Sequence, residues 1–121
     1  MPNLSPEFIE NMRALLGAEV EDFLRALERP PALALRAHRG AEAAAPFVSE
    51  PVPWAENGFY RRDGTRPGAS IEHWAGAFYL QEASAMLPAT VLAARPGARV
   101  LALGAAPGGK ASQLAWALQG K

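Results

Sequence analysis

Apolar positions change their period several times along the chain, and each change marks a predicted element. Phe8, Ile9, Met12, Leu15 and Leu16 fall on one helical face, opened by Ser5-Pro6-Glu7 and closed by Gly17. A capping hydroxyl, a proline in the first turn and an early acid start a helix, and glycine stops it. Val20, Phe23, Leu24 and Leu27 form the apolar side of a second helix, which opens on Glu19, Glu21 and Asp22 and ends at Arg29-Pro30-Pro31. Successive prolines cannot continue a helix. The pair predicts a helical hairpin that packs on whatever follows. Residues 32–38 alternate weakly and predict a strand with Leu33 and Leu35 inward. Residues 40–45 predict a helical turn, and Pro46, Pro51 and Pro53 an extended chain up to Trp54. A second strand is expected from Gly58 through Arg62, closed by the turn Asp63-Gly64.

Residues 71–82 crowd large apolar side chains into a short space. A helix is expected over residues 83–94, with Met86, Leu87, Thr90 and Val91 on its buried side. Arg95-Pro96-Gly97 turns the chain into Val100, Leu101 and Leu103, a short apolar run of the kind found in buried parallel strands. Gly104, Pro107, Gly108 and Gly109 break that run, and Ala111, Leu114, Ala115 and Leu118 recur at helical spacing. Strand, glycine-rich turn and helix in that order open a doubly wound α/β domain. The predicted class is therefore α/β: a helical hairpin with a small α+β subdomain over residues 1–70, then the first strand–loop–helix of a Rossmann-like domain over residues 71–121.

Half the residues are hydrophobic, enough for a core, and the formal net charge is zero, so bulk charge does not announce a nucleic-acid partner. Its distribution is less even. Residues 1–28 are acid-rich, whereas the middle holds Arg36, Arg39, Arg61, Arg62 and Arg66. Arg36, Arg61 and Arg62, with Phe59, Tyr60 and Trp54 nearby, are candidate RNA contacts, since arginines meet phosphates and aromatic rings stack on bases. Solvated edge-strand charges are the bland alternative. The absence of cysteine excludes disulfides, thiolate metal sites and a cysteine nucleophile within these residues. No metal spacing accompanies His38 and His73, so both read as structural or surface residues. No apolar run is long enough for a membrane span and the start is not a signal peptide, which makes a cytoplasmic location the expectation.

A turn between a strand's carboxyl end and a helix's amino end offers free N–H groups to an anion. Gly104 through Lys110 satisfies Gly-x-x-x-x-Gly-Lys, but Ala111 stands where a nucleotide P-loop needs a magnesium-ligating hydroxyl. The dinucleotide pattern Gly-x-Gly-x-x-Gly does not match either. An S-adenosylmethionine site is the third reading.

Family resemblance favours that third reading. Ala105-Ala106-Pro107-Gly108-Gly109-Lys110, after Val100-Leu101-Ala102-Leu103, resembles the cofactor motif of the Nop/Sun family of RNA 5-methylcytosine methyltransferases. The run from Phe78 to Pro88 resembles that family's segment before the strand. Pro51-Val52-Pro53-Trp54, Gly58-Phe59-Tyr60 and the hairpin followed by Leu35-Arg36 are similar to its bacterial small-subunit rRNA branch. The resemblance implies methyl transfer from S-adenosylmethionine to carbon 5 of a cytosine in small-subunit rRNA, with Gly104, Ala105, Ala106, Pro107, Gly108, Gly109 and Lys110 at the cofactor.

The chain departs from that pattern in places. Ala102 replaces the strand's usual aspartate, Ala37-His38 the usual Val-Asn, Ala83 a proline and Ala111 a threonine. The resemblance also implies that both catalytic cysteines, the acid beside the nucleophile and the acid for the cofactor ribose lie beyond Lys121, so these residues alone are expected to be inert. With one parallel strand and no neighbours, residues 100–103 and the last helix are expected to be poorly supported. Leu114 and Leu118 would then be exposed, and an unpaired sheet edge would favour self-association. The alternative from another class is a non-catalytic RNA-binding or interaction module built from residues 1–90.

Overall fold

The computed structural model describes residues 4–38 and 42–119, which form two compact units, Met1–Pro31 and Ala32–Lys121. The first unit is the expected hairpin. Helix α1, Pro6–Leu16, starts where Ser5 Oγ accepts the Phe8 N–H at 3.2 Å, and it ends at Gly17, whose φ of 55° only glycine adopts freely. A 3-10 turn, Gly17–Glu19, leads into α2, Val20–Leu27. The Phe8 and Phe23 rings meet across the hairpin with centroids 6.4 Å apart. Leu15, expected on the apolar face, is exposed.

The second unit is built on a four-stranded antiparallel sheet ordered β2-β3-β1-β4, from Val48–Pro51 (β2), Gly58–Arg61 (β3), Ala34–Ala37 (β1) and Phe78–Leu80 (β4). Pairing puts Leu35 opposite Phe59 and Leu80, and Arg36 opposite Gly58 and Tyr79. Because side chains alternate across a strand, the sheet has two different faces. Leu35, Ala37 and Phe78 pack on one face with Ala44, Val48, Phe47 and Phe59. Ala34 packs on the other with Val52, Ala55, Tyr60, Ala83 and Met86. Leu33 is not inward as expected: it precedes the strand and stays exposed at the sheet's end. Pro51 is tolerated because β2 is an edge strand, whereas Pro46 lies in a 3-10 turn, Ala45–Phe47, rather than in extended chain. Of the helical turn expected at residues 40–45, residues 40 and 41 fall outside the described residues, and residues 42–44 form a simple turn.

The expected division after residue 70 falls inside this second unit, because β4 joins the same sheet as β1. A short helix, α3 (Ile71–Trp74), leads into β4, and α4 (Ala83–Leu92) follows. The buried side of α4 is Ala83, Met86 and Ala89; of the four residues expected there only Met86 is buried, while Leu87, Thr90 and Val91 are exposed. Gly58 explains the phase. A β-carbon there would sit 2.6 Å from the Met86 sulfur and 2.8 Å from Ala55, so the helix rests directly on strand backbone and presents its narrow face. Residues 100–103 form no strand. Leu101 and Leu103 are 83% and 94% exposed, since none of the four described strands lies beside them to pair their backbone. The last helix, α5 (Gly109–Ala117), is better supported than expected. It packs on α4, where the Gln113 amide donates to the Met86 carbonyl at 3.1 Å; Leu114 is half-buried and Leu118 buried, so neither is the exposed apolar surface anticipated.

Candidate functional site

The glycine-rich loop of residues 104–110 leads into the start of α5, and three properties of the sequence shape it. Gly108 takes φ 109°, a left-handed conformation that turns the chain into the helix as its N-cap. No side chain caps α5, so the N–H groups of its first turn keep their hydrogen-bonding capacity. Gly109 approaches β4 closely: a β-carbon there would stand 3.3 Å from the Gln81 amide carbon and 3.4 Å from the Tyr79 ring. The Tyr79 hydroxyl donates to the Pro107 carbonyl at 3.0 Å and fastens the loop to the strand from outside.

Behind the loop runs a polar tie. Arg36, the one charged residue of β1, is only 7% exposed. Its Nε donates to Gln81 Oε1 at 3.2 Å and its Nη2 to Ser112 Oγ at 2.7 Å. Ser112 in turn donates to the Gly109 carbonyl at 3.2 Å. The Gln81 amide donates to the Ala85 carbonyl and to Gln113 Oε1, at 3.1 and 3.4 Å. Burial pulls the Arg36 guanidinium below its ordinary pKa, and Tyr79 beside it works in the opposite direction. Sheet, α4 and the first turns of α5 are thus bonded to one another through side chains drawn from three places in the sequence.

The loop and the β4–α4 corner enclose an open cavity of about 220 Å³, lined by all seven residues from Gly104 to Lys110 together with Tyr79, Leu80, Gln81, Glu82 and Ala85. The seven loop residues singled out from sequence therefore come together. The three candidate RNA arginines do not. Arg36 is largely buried, with Nε and Nη2 bonded to Gln81 and Ser112, and it lines a separate cavity with His38, His73 and Tyr79. Arg62 bonds the Val48 carbonyl through Nε at 3.1 Å and the Ala45 carbonyl through Nη2 at 3.4 Å, holding β3 to the start of β2. Arg61 lines a different cavity. The aromatic residues expected beside them are also committed: Phe59 and Tyr60 pack into opposite faces of the sheet, and the Trp54 indole donates to the Ala83 carbonyl at 2.8 Å. His73 stacks on Phe78 with centroids 5.6 Å apart, and no group of three or more His, Cys, Asp and Glu is placed to hold a metal among the described residues. No described helix is long and apolar enough to cross a membrane.

Sequence reading missed the tie through Arg36. A signal was present: Ala34-Leu35-Arg36-Ala37 places a cation among residues otherwise suited to a core, and Gln81 similarly follows Phe78-Tyr79-Leu80.

Solved structures share this fold. A methyltransferase homolog protein from Pyrococcus horikoshii superposes with a TM-score of 0.73 at 28% identity, over 96% of this chain and 46% of that one. PH0851 superposes with a TM-score of 0.79 at 25% identity, over 93% and 28%. Fold and loop define the amino-terminal part of a methyltransferase of the Nop/Sun type. The chain is 38% identical to ribosomal RNA small subunit methyltransferase F of Serratia proteamaculans and 37% identical to that of Pectobacterium carotovorum, over 93% and 98% of its length. It belongs to the family described as the N-terminal domain of 16S rRNA methyltransferase RsmF, which it matches over residues 4–83. The chain spans 27% and 28% of the length of those two relatives.

Proposed function

We propose that these residues hold one end of S-adenosylmethionine in an enzyme that methylates carbon 5 of a cytosine in small-subunit rRNA. The observation that carries this is the loop of residues 104–110, shaped by Gly108 and Gly109 and fixed by Tyr79 and the Arg36–Ser112 bond. An amino-acid end carries a carboxylate and an ammonium. Unpaired N–H groups at the start of α5, with Lys110, suit the carboxylate, and Glu82 on the rim suits the ammonium. The cavity, about 220 Å³, is smaller than a complete small-molecule site, which usually runs to about 300–1,000 Å³. It therefore takes the methionine end, with the rest of the cofactor over the open rim.

When bound, the cofactor supplies a methyl group on a positively charged sulfur. What this chain contributes is position: the loop orients that sulfur, and the polar tie keeps the loop from shifting. Ala102 lies in the segment that precedes the loop and offers no carboxylate, so binding is expected to be weaker than in a site with aspartate there. The cysteine chemistry that the family resemblance implies is not supplied by these residues, which contain no cysteine.

Calorimetry of the chain with S-adenosylmethionine tests this. Saturable binding is expected, lost at least tenfold in Gly109→Val, whose side chain would press on Gln81 and Tyr79. RNA binding without any cofactor binding would instead support a non-catalytic RNA-binding module.

A further inference from the structure

A second cavity, of about 380 Å³, opens on the other side of the β4–α4 corner and shares Leu80, Gln81 and Glu82 with the loop cavity. Its floor is apolar. Leu33, just before β1, has its carbonyl bonded to the Arg61 N–H at 2.8 Å, and Leu35 opposes both Phe59 and Leu80. Strand alternation therefore puts Leu33, Arg61 and Leu80 on one sheet face. Both leucines are 39% exposed, an uncovered apolar surface beside the 3-10 turn Pro67–Ala69.

Two cations border this floor. The Arg61 Nε is buried with no hydrogen-bond partner, and no side-chain bond among the described residues holds the rest of that guanidinium, which lines the cavity. Arg66, on the approach to the 3-10 turn, lines the same cavity, and neither arginine forms an ion pair among the described residues. Arg62, their neighbour, is held by two bonds to backbone carbonyls and does not line this cavity. An apolar floor in a cavity of about 380 Å³, edged by two guanidiniums outside any ion pair among the described residues, has the complement of a nucleotide: a base face on one side and a phosphate on the other.

We infer that this cavity binds one nucleotide of an unpaired RNA strand, with its phosphate on Arg61 and Arg66 and its base over Leu33 and Leu80. The inference rests on the RNA substrate proposed above and adds where the strand is gripped: against the corner whose other side lines the cofactor loop. A nucleotide held here anchors the strand next to the site where the target base is needed.

The test is fluorescence anisotropy of the full chain with a labelled unstructured RNA of about ten nucleotides, at several salt concentrations. The double variant Arg61→Ala/Arg66→Ala is expected to bind at least tenfold more weakly. Its slope of log affinity against log salt should also fall by about 0.7 for each arginine removed, as for single-strand phosphate contacts. Ala69→Leu narrows the cavity without changing charge and is expected to weaken binding severalfold, whereas Arg95→Ala, outside the cavity, leaves it near wild type. Circular dichroism of each variant separates misfolding from lost contacts, and a misfolded arginine variant is replaced by Arg66→Ala alone. If wild type binds RNA and the cavity variants bind equally well, or Arg95→Ala loses as much as they do, the nucleotide site is overturned while the RNA substrate stands. If wild type binds no RNA, both fall.

Discussion

At the scale of single residues, Arg36 and Gly58 face each other across β1 and β3 and do opposite things. Gly58 is there for what it lacks. The Gly58→Ala variant would drive a methyl group against the Met86 sulfur and Ala55, and overpacking of this kind costs about 1–3 kcal/mol. Urea denaturation is expected to show that loss as a lower midpoint with an unchanged slope. Arg36 is there for what it donates. Its replacement by methionine keeps the stem but leaves the Gln81 and Ser112 acceptors unpaired, which costs about 1–3 kcal/mol. Native-state hydrogen exchange is expected to speed up most at the start of α5, the element that bond holds. Neither role was readable from composition. A glycine in a strand and an arginine near a strand's end each have commonplace explanations, and only pairing β1 between β3 and β4 shows that one must be small and the other buried.

At the scale of elements, the punctuation was legible and the faces were less so. Ser5 and Gly17 bound α1 as their chemistry requires, since a hydroxyl cap and a left-handed glycine are local devices. The face of α4 is not local. Large Leu87 and Val91 suggest a core side, yet the sheet offers that helix Val52, Ala55 and the bare backbone of Gly58, so the alanine side fits and the larger residues remain outside. The apolar run at residues 100–103 has strand composition but no strand beside it among the described residues, and composition alone does not make a ladder. Hydrogen exchange separates these cases. Amides of β1 and α4 are expected to be protected, while those of residues 99–103 exchange at nearly unprotected rates; strong protection there in a monomer would mean that the segment finds a pairing partner.

At the scale of the whole molecule, two cavities flank one corner, Leu80–Gln81–Glu82, and the sequence indicated only one of them. The glycine loop was recognisable because its residues are contiguous and carry unusual backbone geometry. The Arg61 cavity was only half recognisable. Arg61 was a candidate contact, but its companions Leu33, Arg66 and Leu80 come from separate stretches joined by strand register. The three arginines grouped by sequence separate into one internal tie, one backbone clasp and one cavity wall. Charge clusters in sequence therefore located the basic region without showing which cations are free.

The loop as a cofactor cradle is tested most directly by residue-resolved titration of the chain with S-adenosylmethionine in amide proton–nitrogen spectra. Saturable shifts are predicted at Gly104 through Lys110 and at Tyr79, Gln81, Glu82 and Ala85, with α1 and α2 unmoved and the response abolished in Gly109→Val. Saturable shifts elsewhere with residues 104–110 silent, or no shifts up to millimolar cofactor in a folded chain, would contradict it.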